Sequence, residues 1–336
     1  MSVQAPAAGP MRAARPARPA DSWLRRALRK HTYLFALALT VALLAINLAI
    51  QPNFGWTAQL ASFAPLAVAA VASAPSIISG RGGIDMSIGP VMTLSAIVFA
   101  GYLAPAGLGG GIALPILMLL GGAIGAVNGL VIIWLRLTPI VVTLAMYFIV
   151  IGVNLKLAPT PVRLDDANWA TSLAGNLGPV PGPLISLAIP VAIWALLGLT
   201  AFRRNLYAVG GNDATAFTAG VNVSAVRVIA FTLGGMFAGV AGLVLVALVR
   251  TADSSTSSSY TLIAIAAVAL GGASLAGGGG GITGALLGAA SIFLVQSVLA
   301  DAQMPQTWLP AVYGGLLIIA VVIGALVSGD RVRRTS

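Results

Sequence analysis

Ser79-Gly80-Arg81-Gly82-Gly83-Ile84-Asp85-Met86-Ser87-Ile88-Gly89 sets a polar, glycine-rich break between two long apolar runs. A second break, Gly271-Gly272-Ala273-Ser274-Leu275-Ala276-Gly277-Gly278-Gly279-Gly280-Gly281, falls in the C-terminal half. In lipid every unpaired backbone amide is costly, so glycine-rich turns are confined to membrane surfaces or protein-lined cavities. The two breaks therefore read as tightly specified turns of a membrane protein.

The rest of the composition agrees. The chain is 58% hydrophobic and only 8% charged, with a mean hydropathy of +0.98, whereas a soluble domain carries roughly 25% charged residues. It has no cysteine, which excludes disulfides, thiolate catalysis and cysteine-held metal. His31 is the single histidine, all eight acidic residues are Asp, and no catalytic or metal-binding cluster can be assembled. The net charge of +10 invites a nucleic-acid reading. That would need basic residues gathered on one folded face, and here they follow a membrane topology instead.

About 20 apolar residues cross a bilayer core of roughly 30 Å. Charge-free windows then predict an all-α integral membrane protein of about ten helices, near 32–50, 58–78, 84–103, 112–134, 139–157, 183–201, 226–249, 260–276, 283–300 and 309–328. With both termini inside, fifteen of the eighteen basic residues lie in cytoplasmic segments, among them Arg81, Arg136, Arg203, Arg204 and Arg227. Only Lys156, Arg163 and Arg250 fall outside, the segregation that the positive-inside rule expects. Residues 1–31, rich in Ala, Pro and Arg, read as a disordered basic cytoplasmic tail. Residues 32–328 form the transmembrane domain, and 329–336 a short cytoplasmic tail. The first apolar run is longer than a signal-peptide core and lacks a clear cleavage site, so it reads as an uncleaved span.

The longest inside connection is a loop at about 202–225. Asn212 or Asp213 suits a helix N-cap and Gly220 a helix stop, which predicts a short surface helix near 213–219. It serves either as a docking element for a soluble partner or as an ordinary connection.

Four ordered motifs now bear on family. Gly82-Gly83-Ile84-Asp85-Met86-Ser87-Ile88-Gly89 resembles the GGIDLSVG signature of ribose-type sugar ABC importer permeases. Tyr207-Ala208-Val209-Gly210-Gly211-Asn212-Asp213-Ala214 is similar to their YAVGGNE-A motif. Asn128-Gly129, Pro139 and Thr143-Leu144 resemble their NG…P…TL stretch, and Gly271 to Gly284 their GG-SL-GG-G-I-G motif. The resemblance runs from about residue 58 to 325.

It implies a transmembrane subunit of an importer in the bacterial inner (plasma) membrane. Two permease chains, as homo- or heterodimer, form the pathway. Two cytoplasmic ATPases drive it, and a periplasmic binding protein delivers a sugar or similar small polar solute. The region of Gly210, Gly211, Asn212, Asp213, Ala214 and Gly220 would couple to the ATPase. Gly82, Gly83, Asp85, Ser87, Gly271, Gly272, Ser274, Gly277 and Gly278 would form the glycine-rich cytoplasmic turns. Independently of the resemblance, no glycine cluster gives G-x-x-x-x-G-K-[ST], so the chain is expected to bind no cofactor itself and to leave ATP and Mg to the partner ATPase. The chain departs from the family at three charged positions. Gly279 stands for an Arg, Tyr260-Thr261-Leu262-Ile263 has lost two acids, and Ile151 replaces another Arg. These losses point toward a second, non-identical permease.

Gly121/Gly125/Gly129, Gly235/Gly239 and Gly280/Gly284/Gly288 follow G-x-x-x-G spacing, which predicts close helix packing. Asn128, Thr143 and Asn154 stand within spans, either as interhelical hydrogen-bonding groups or as pathway lining. Asp85 is expected at the cytoplasmic rim, where it could cap the third span. The outside loops 158–182 and 250–259 carry mixed charge and are candidate docking surfaces for a binding protein. Two rival readings remain open at this point: a branched-chain amino acid permease, and an ion-driven carrier. The second usually keeps ionisable residues deep in the membrane, and none stands deep within spans four to ten.

Overall fold

The computed structural model describes residues 33–51, 53–254, 258–315 and 318. Eleven helices stand out among them. They are α1 (Leu34–Ile50), α2 (Trp56–Ile78), α3 (Ile88–Val98, with a π-helical turn Phe99–Leu103), α4 (Ala113–Trp134), α5 (Pro139–Leu157) and α6 (Gly182–Leu197). After these come α7 (Ala201–Gly211), α8 (Asp213–Thr218), α9 (Val223–Val249), α10 (Ser258–Leu270) and α11 (Ile282–Asp301). The basic tail 1–31, the end of the last expected span and the final tail lie outside the described residues.

The all-α membrane architecture holds, with a different distribution of lengths. Among the described residues α2, α4, α5, α9 and α11 are long and apolar enough to cross a membrane, and α6 reaches that length only when joined to α7 across a bend of 86°. Helices α1 and α10 have only 17 and 13 residues, and α3 has 11 before its π turn. At 1.5 Å per residue α10 reaches about 20 Å, short of a roughly 30 Å core. Hydropathy windows extended α3 and α10 into the adjoining parts of the two glycine-rich breaks, 84–87 and 271–276, which are not helical.

Helices α2 and α9 form the buried centre, and α9 packs on α4, α2 and α3. Glycine makes the closest of these contacts possible. A β-carbon on Gly129 of α4 would lie 2.8 Å from Val228 Cα of α9, and one on Gly121 or Gly125 would overlap the carbonyls of Gly235 or Phe231. Gly284 and Gly288 of α11 meet Gly271 and Ala267 in the same way. The G-x-x-x-G expectation thus holds for the helical glycines, whereas Gly280 stands in a turn with φ +99°. A polar seam ties α1 to α11: Asn47 Nδ2 donates to Leu294 O (3.1 Å), and the Thr40 and Ser291 hydroxyls pair at 2.9 Å.

The end of the molecule carrying loop 158–182 is closed by two small antiparallel pairings. β1 (Val162–Arg163) pairs with β4 (Thr251–Ala252), and β2 (Asn176–Leu177) with β3 (Val180–Pro181). Asp166 receives Arg250 at 3.1 Å and Arg163 at 3.6 Å, an ion-pair cluster that joins the two outer loops.

Candidate functional site: a glycine junction beneath a short helix

Three glycine-bearing segments that are far apart in sequence meet at one point. Helix α2 ends at Ile78, and Gly80 turns the chain with φ +80°. The Gly277-Gly278 turn, at φ +101° and +68°, comes down on it, and Gly278 N donates to Ile78 O at 3.0 Å. The last turn of α7 completes the junction. A β-carbon on Gly80 would lie 2.8 Å from Gly210 O, one on Gly210 2.6 Å from Gly278 N, and one on Gly278 2.5 Å from Gly211 Cα. Only glycine fits at such approaches, and at positive φ only glycine is free of strain. Tyr207 Oη donates to Gly280 O at 2.8 Å, a side-chain tie from α7 to the same turn. The sequence placed these glycines in three separate motifs; the fold makes them one contact of main chain on main chain.

Helix α8 follows the junction directly, beginning two residues after Gly211. Asn212 is its N-cap, with Oδ1 accepting from Thr215 N at 3.0 Å, and Gly220 turns the chain out at φ +84°. The expected short helix is therefore present, and the first half of the expected 202–225 loop is itself a second surface helix, α7. One carboxylate fixes α8 in place. Asp213 Oδ2 accepts from Arg81 Nε at 2.7 Å and from an Arg227 terminal amino group at 3.1 Å, joining the α2–α3 turn, α8 and α9. Burial alone would push this carboxyl up. The Arg227 hydrogen bond, the charges of Arg81 and Arg227 and the Ala214 amide outweigh it, and Asp213 titrates below its ordinary range. Phe217, 72% exposed, stands on the outer side of α8. Ala214 and Gly211 are exposed beside it.

A cavity of about 570 Å³ opens beside α8. Arg81, Arg136, Arg227 and Asp213 line it together with Ile132, Leu137 and Phe217. Arg136 and Arg227 take part here, and neither belonged to a recognised motif.

The second half of the first break forms another hub, deeper in the protein. Asp85 is buried at 2% exposure rather than placed at a rim, and its Oδ1 accepts from Ser87 N (2.9 Å) and Ser87 Oγ (2.6 Å). It closes a local turn just ahead of α3 and bonds none of the first amides of that helix, so neither the surface placement nor the capping role holds. Asn128 Nδ2 donates to Ser87 Oγ at 2.9 Å, Thr143 Oγ1 to Ile84 O at 3.1 Å and Asn154 Nδ2 to Pro90 O at 3.0 Å. Thr261 Oγ1 accepts from Gly89 N at 3.0 Å. Side chains of α4, α5 and α10 thus bond to residues 84–89, which precede or begin α3, and to Pro90 O within it, while Asn128 Oδ1 and Asn154 Oδ1 find no partner of their own. Asn128, Thr143 and Asn154 are all fully buried here. Of the remaining turn residues, Gly82 has φ +67° with open space around it, while Gly83 is held against Ser76 and Ser79. Gly272 turns at φ +82°, and Ser274 N donates to Gly279 O at 3.3 Å within the second turn.

Comparison with known proteins adds the family context. The family described as branched-chain amino acid transport system / permease component matches residues 56–321. The autoinducer 2 import system permease protein of Yersinia enterocolitica is 32% identical over 309 residues, covering 91% of this chain and 83% of the relative. The D-allose transport system permease protein of Escherichia coli K12 is 30% identical over 315 residues, 89% of this chain and 92% of the relative. The ribose import permease protein of Bacillus subtilis is 34% identical over 251 residues, 72% and 76% of the two chains. No solved structure matches the chain.

Proposed function

The chain belongs to this permease family, and we propose that it is the transmembrane subunit of an ATP-driven importer for a sugar or similar small polar solute. The relatives named above are permeases of autoinducer 2 import, D-allose transport and ribose import systems, which favours that class of solute over branched-chain amino acids. The arginine-rich end faces the cytoplasm of a bacterial cell, as the basic residues of the inside segments indicate. A binding protein delivers the solute at the opposite end, onto the paired loops around Asp166.

One structural observation carries the coupling role. Helix α8 is capped, exposed, follows Gly211 of the glycine junction after one residue, and is fastened through Asp213 to two other segments. A partner ATPase that grips Phe217 and the exposed side of Gly211–Gly220 pulls on the α2–α3 turn and on α9 together. ATP and Mg belong to that partner, with a second permease chain completing the pathway. Asn128, Thr143 and Asn154 act on the pathway indirectly, by holding the start of α3, the element that must move if the junction moves.

The test is a mild-detergent pull-down of the tagged chain from its native membrane, with mass spectrometry of what accompanies it. A Walker-motif ATPase is expected, and a second permease sequence would identify a heterodimer. Recovery of the chain alone, together with uptake that survives deletion of every candidate ATPase, would overturn the reading in favour of an ion-driven carrier.

A further inference from the structure

The 570 Å³ cavity beside α8 is charged in an uncompensated way. Three guanidinium groups line it, and the single carboxylate present, Asp213, uses one oxygen for both Arg81 and Arg227. Arg136 has no ion pair among the described residues. Arg227 is only 7% exposed, and its Nε is a buried donor with no partner. A buried donor left unmade is costly, so an acceptor that completes it is favoured. Two of the three arginines are also held in left-handed backbone, Arg81 at φ 52° and Arg136 at φ 53°. Such conformations cost energy in any residue but glycine, and they concentrate where a ligand is clamped.

The other half of the cavity is apolar. Ile132, Ile133 and Leu137 form one wall. Beside them Trp134 is 83% exposed, Leu135 51% and Leu137 43%. Exposed Trp beside exposed aliphatic residues at the end of an apolar helix marks a membrane interface. The exposed apolar surface continues onto α5 through Ile140 and Val141. A lone acidic side chain from a protein partner would answer the charge and leave this apolar wall and most of the volume empty.

We propose that the cavity holds the phosphate group of an anionic phospholipid from the adjoining leaflet, with Arg136 and Arg227 on the phosphate and the first acyl carbons against Ile132, Ile133 and Leu137. The site is independent of which solute the chain carries; Ala214 and Phe217 belong both to its rim and to the surface offered to the ATPase.

Native mass spectrometry of the full-length chain in mild detergent tests this, with dioleoyl phosphatidylglycerol and dioleoyl phosphatidylcholine as probes. Phosphatidylglycerol is expected to be retained on the order of ten-fold better, from two net positive charges near the interface. Arg136→Asn removes the charge while suiting left-handed backbone, and is expected to lower that retention about five-fold. Arg136→Lys keeps the charge and most of the retention, and Arg163→Gln at the opposite end changes nothing. Inorganic phosphate at millimolar concentration, lacking the apolar half, leaves the lipid bound. Equal retention of the two lipids, an unchanged preference in Arg136→Asn, or displacement by free phosphate would each overturn the proposal. So would an Arg136→Asn chain that keeps its lipid preference but loses a co-purifying ATPase, since the occupant would then be an acidic side chain of that protein.

Discussion

Gly210 and Gly211 are neighbours in one motif, and the structure predicts opposite outcomes for the same substitution. A β-carbon on Gly210 would lie 2.6 Å from Gly278 N and overlap Ile78 O, the donor and acceptor of a 3.0 Å hydrogen bond. Overpacking of this kind costs about 1–3 kcal/mol. Loss of the bond adds about 1 kcal/mol, and the better helix propensity of Ala returns about 1 kcal/mol. Gly210→Ala is therefore expected to lose about 1–3 kcal/mol. A β-carbon on Gly211 meets nothing within 4 Å, so Gly211→Ala is neutral or up to about 1 kcal/mol more stable. Each kcal/mol shifts Tm by roughly 1–2 °C in a chain of this size, which separates the two variants by on the order of 2–6 °C. Thermal unfolding of the purified chain in one detergent, with intrinsic fluorescence as readout, measures the gap. Equal melting temperatures for the two variants would refute the junction as described.

Four further outcomes follow from the geometry. Asp213→Asn strips Arg227 of its counter-charge and releases Arg81; between the exposed and buried limits for an ion pair this costs about 1–2 kcal/mol, read by the same melt. Asp213 itself is held below its ordinary range, so its contribution is complete at neutral pH and is lost only as pH falls through about 4 and below; stability of the wild type minus that of Asp213→Asn should be flat from pH 7 to 5. Asn154→Ala removes a buried 3.0 Å hydrogen bond to Pro90 O and is expected to lose about 1–3 kcal/mol, with a matching fall in uptake if the start of α3 must be held. Phe217→Ala, at a side chain 72% exposed, should leave the melt within about 0.5 kcal/mol of wild type while weakening recovery of the ATPase in the pull-down.

Much of this was legible in the sequence because it depends on local chemistry. Asn212 and Gly220 bound α8 as cap and stop signals do anywhere, and the helical G-x-x-x-G glycines pack as their spacing implies. Residues 84–87 misled the hydropathy window because the hydrogen bonds that allow them to be non-helical come from Asn128, Thr143 and Thr261, 41 to 175 residues away. No local pattern reports such partners. The bend between α6 and α7 was hidden for a related reason. Gly198, Thr200 and the apolar residues around them read as a span end, and nothing in them specifies 86°. The arginine-lined cavity was invisible because Arg136 and Arg227 counted only as topology markers, and their convergence is a property of the fold alone. For the junction itself the sequence supplied every member and none of the adjacency.

Contacts between side chains have preferred angles, because each rotamer sits in its own well and must hop to change. The meeting of Gly80, Gly210 and Gly277 has no rotamers. Its only parts are peptide planes, which cannot be swapped for a bulkier or stickier version by a point mutation without prising the segments apart. Whatever sliding occurs there is smooth rather than stepped, and selection can adjust it only from a distance, through the lengths and anchors of the helices that lead into it.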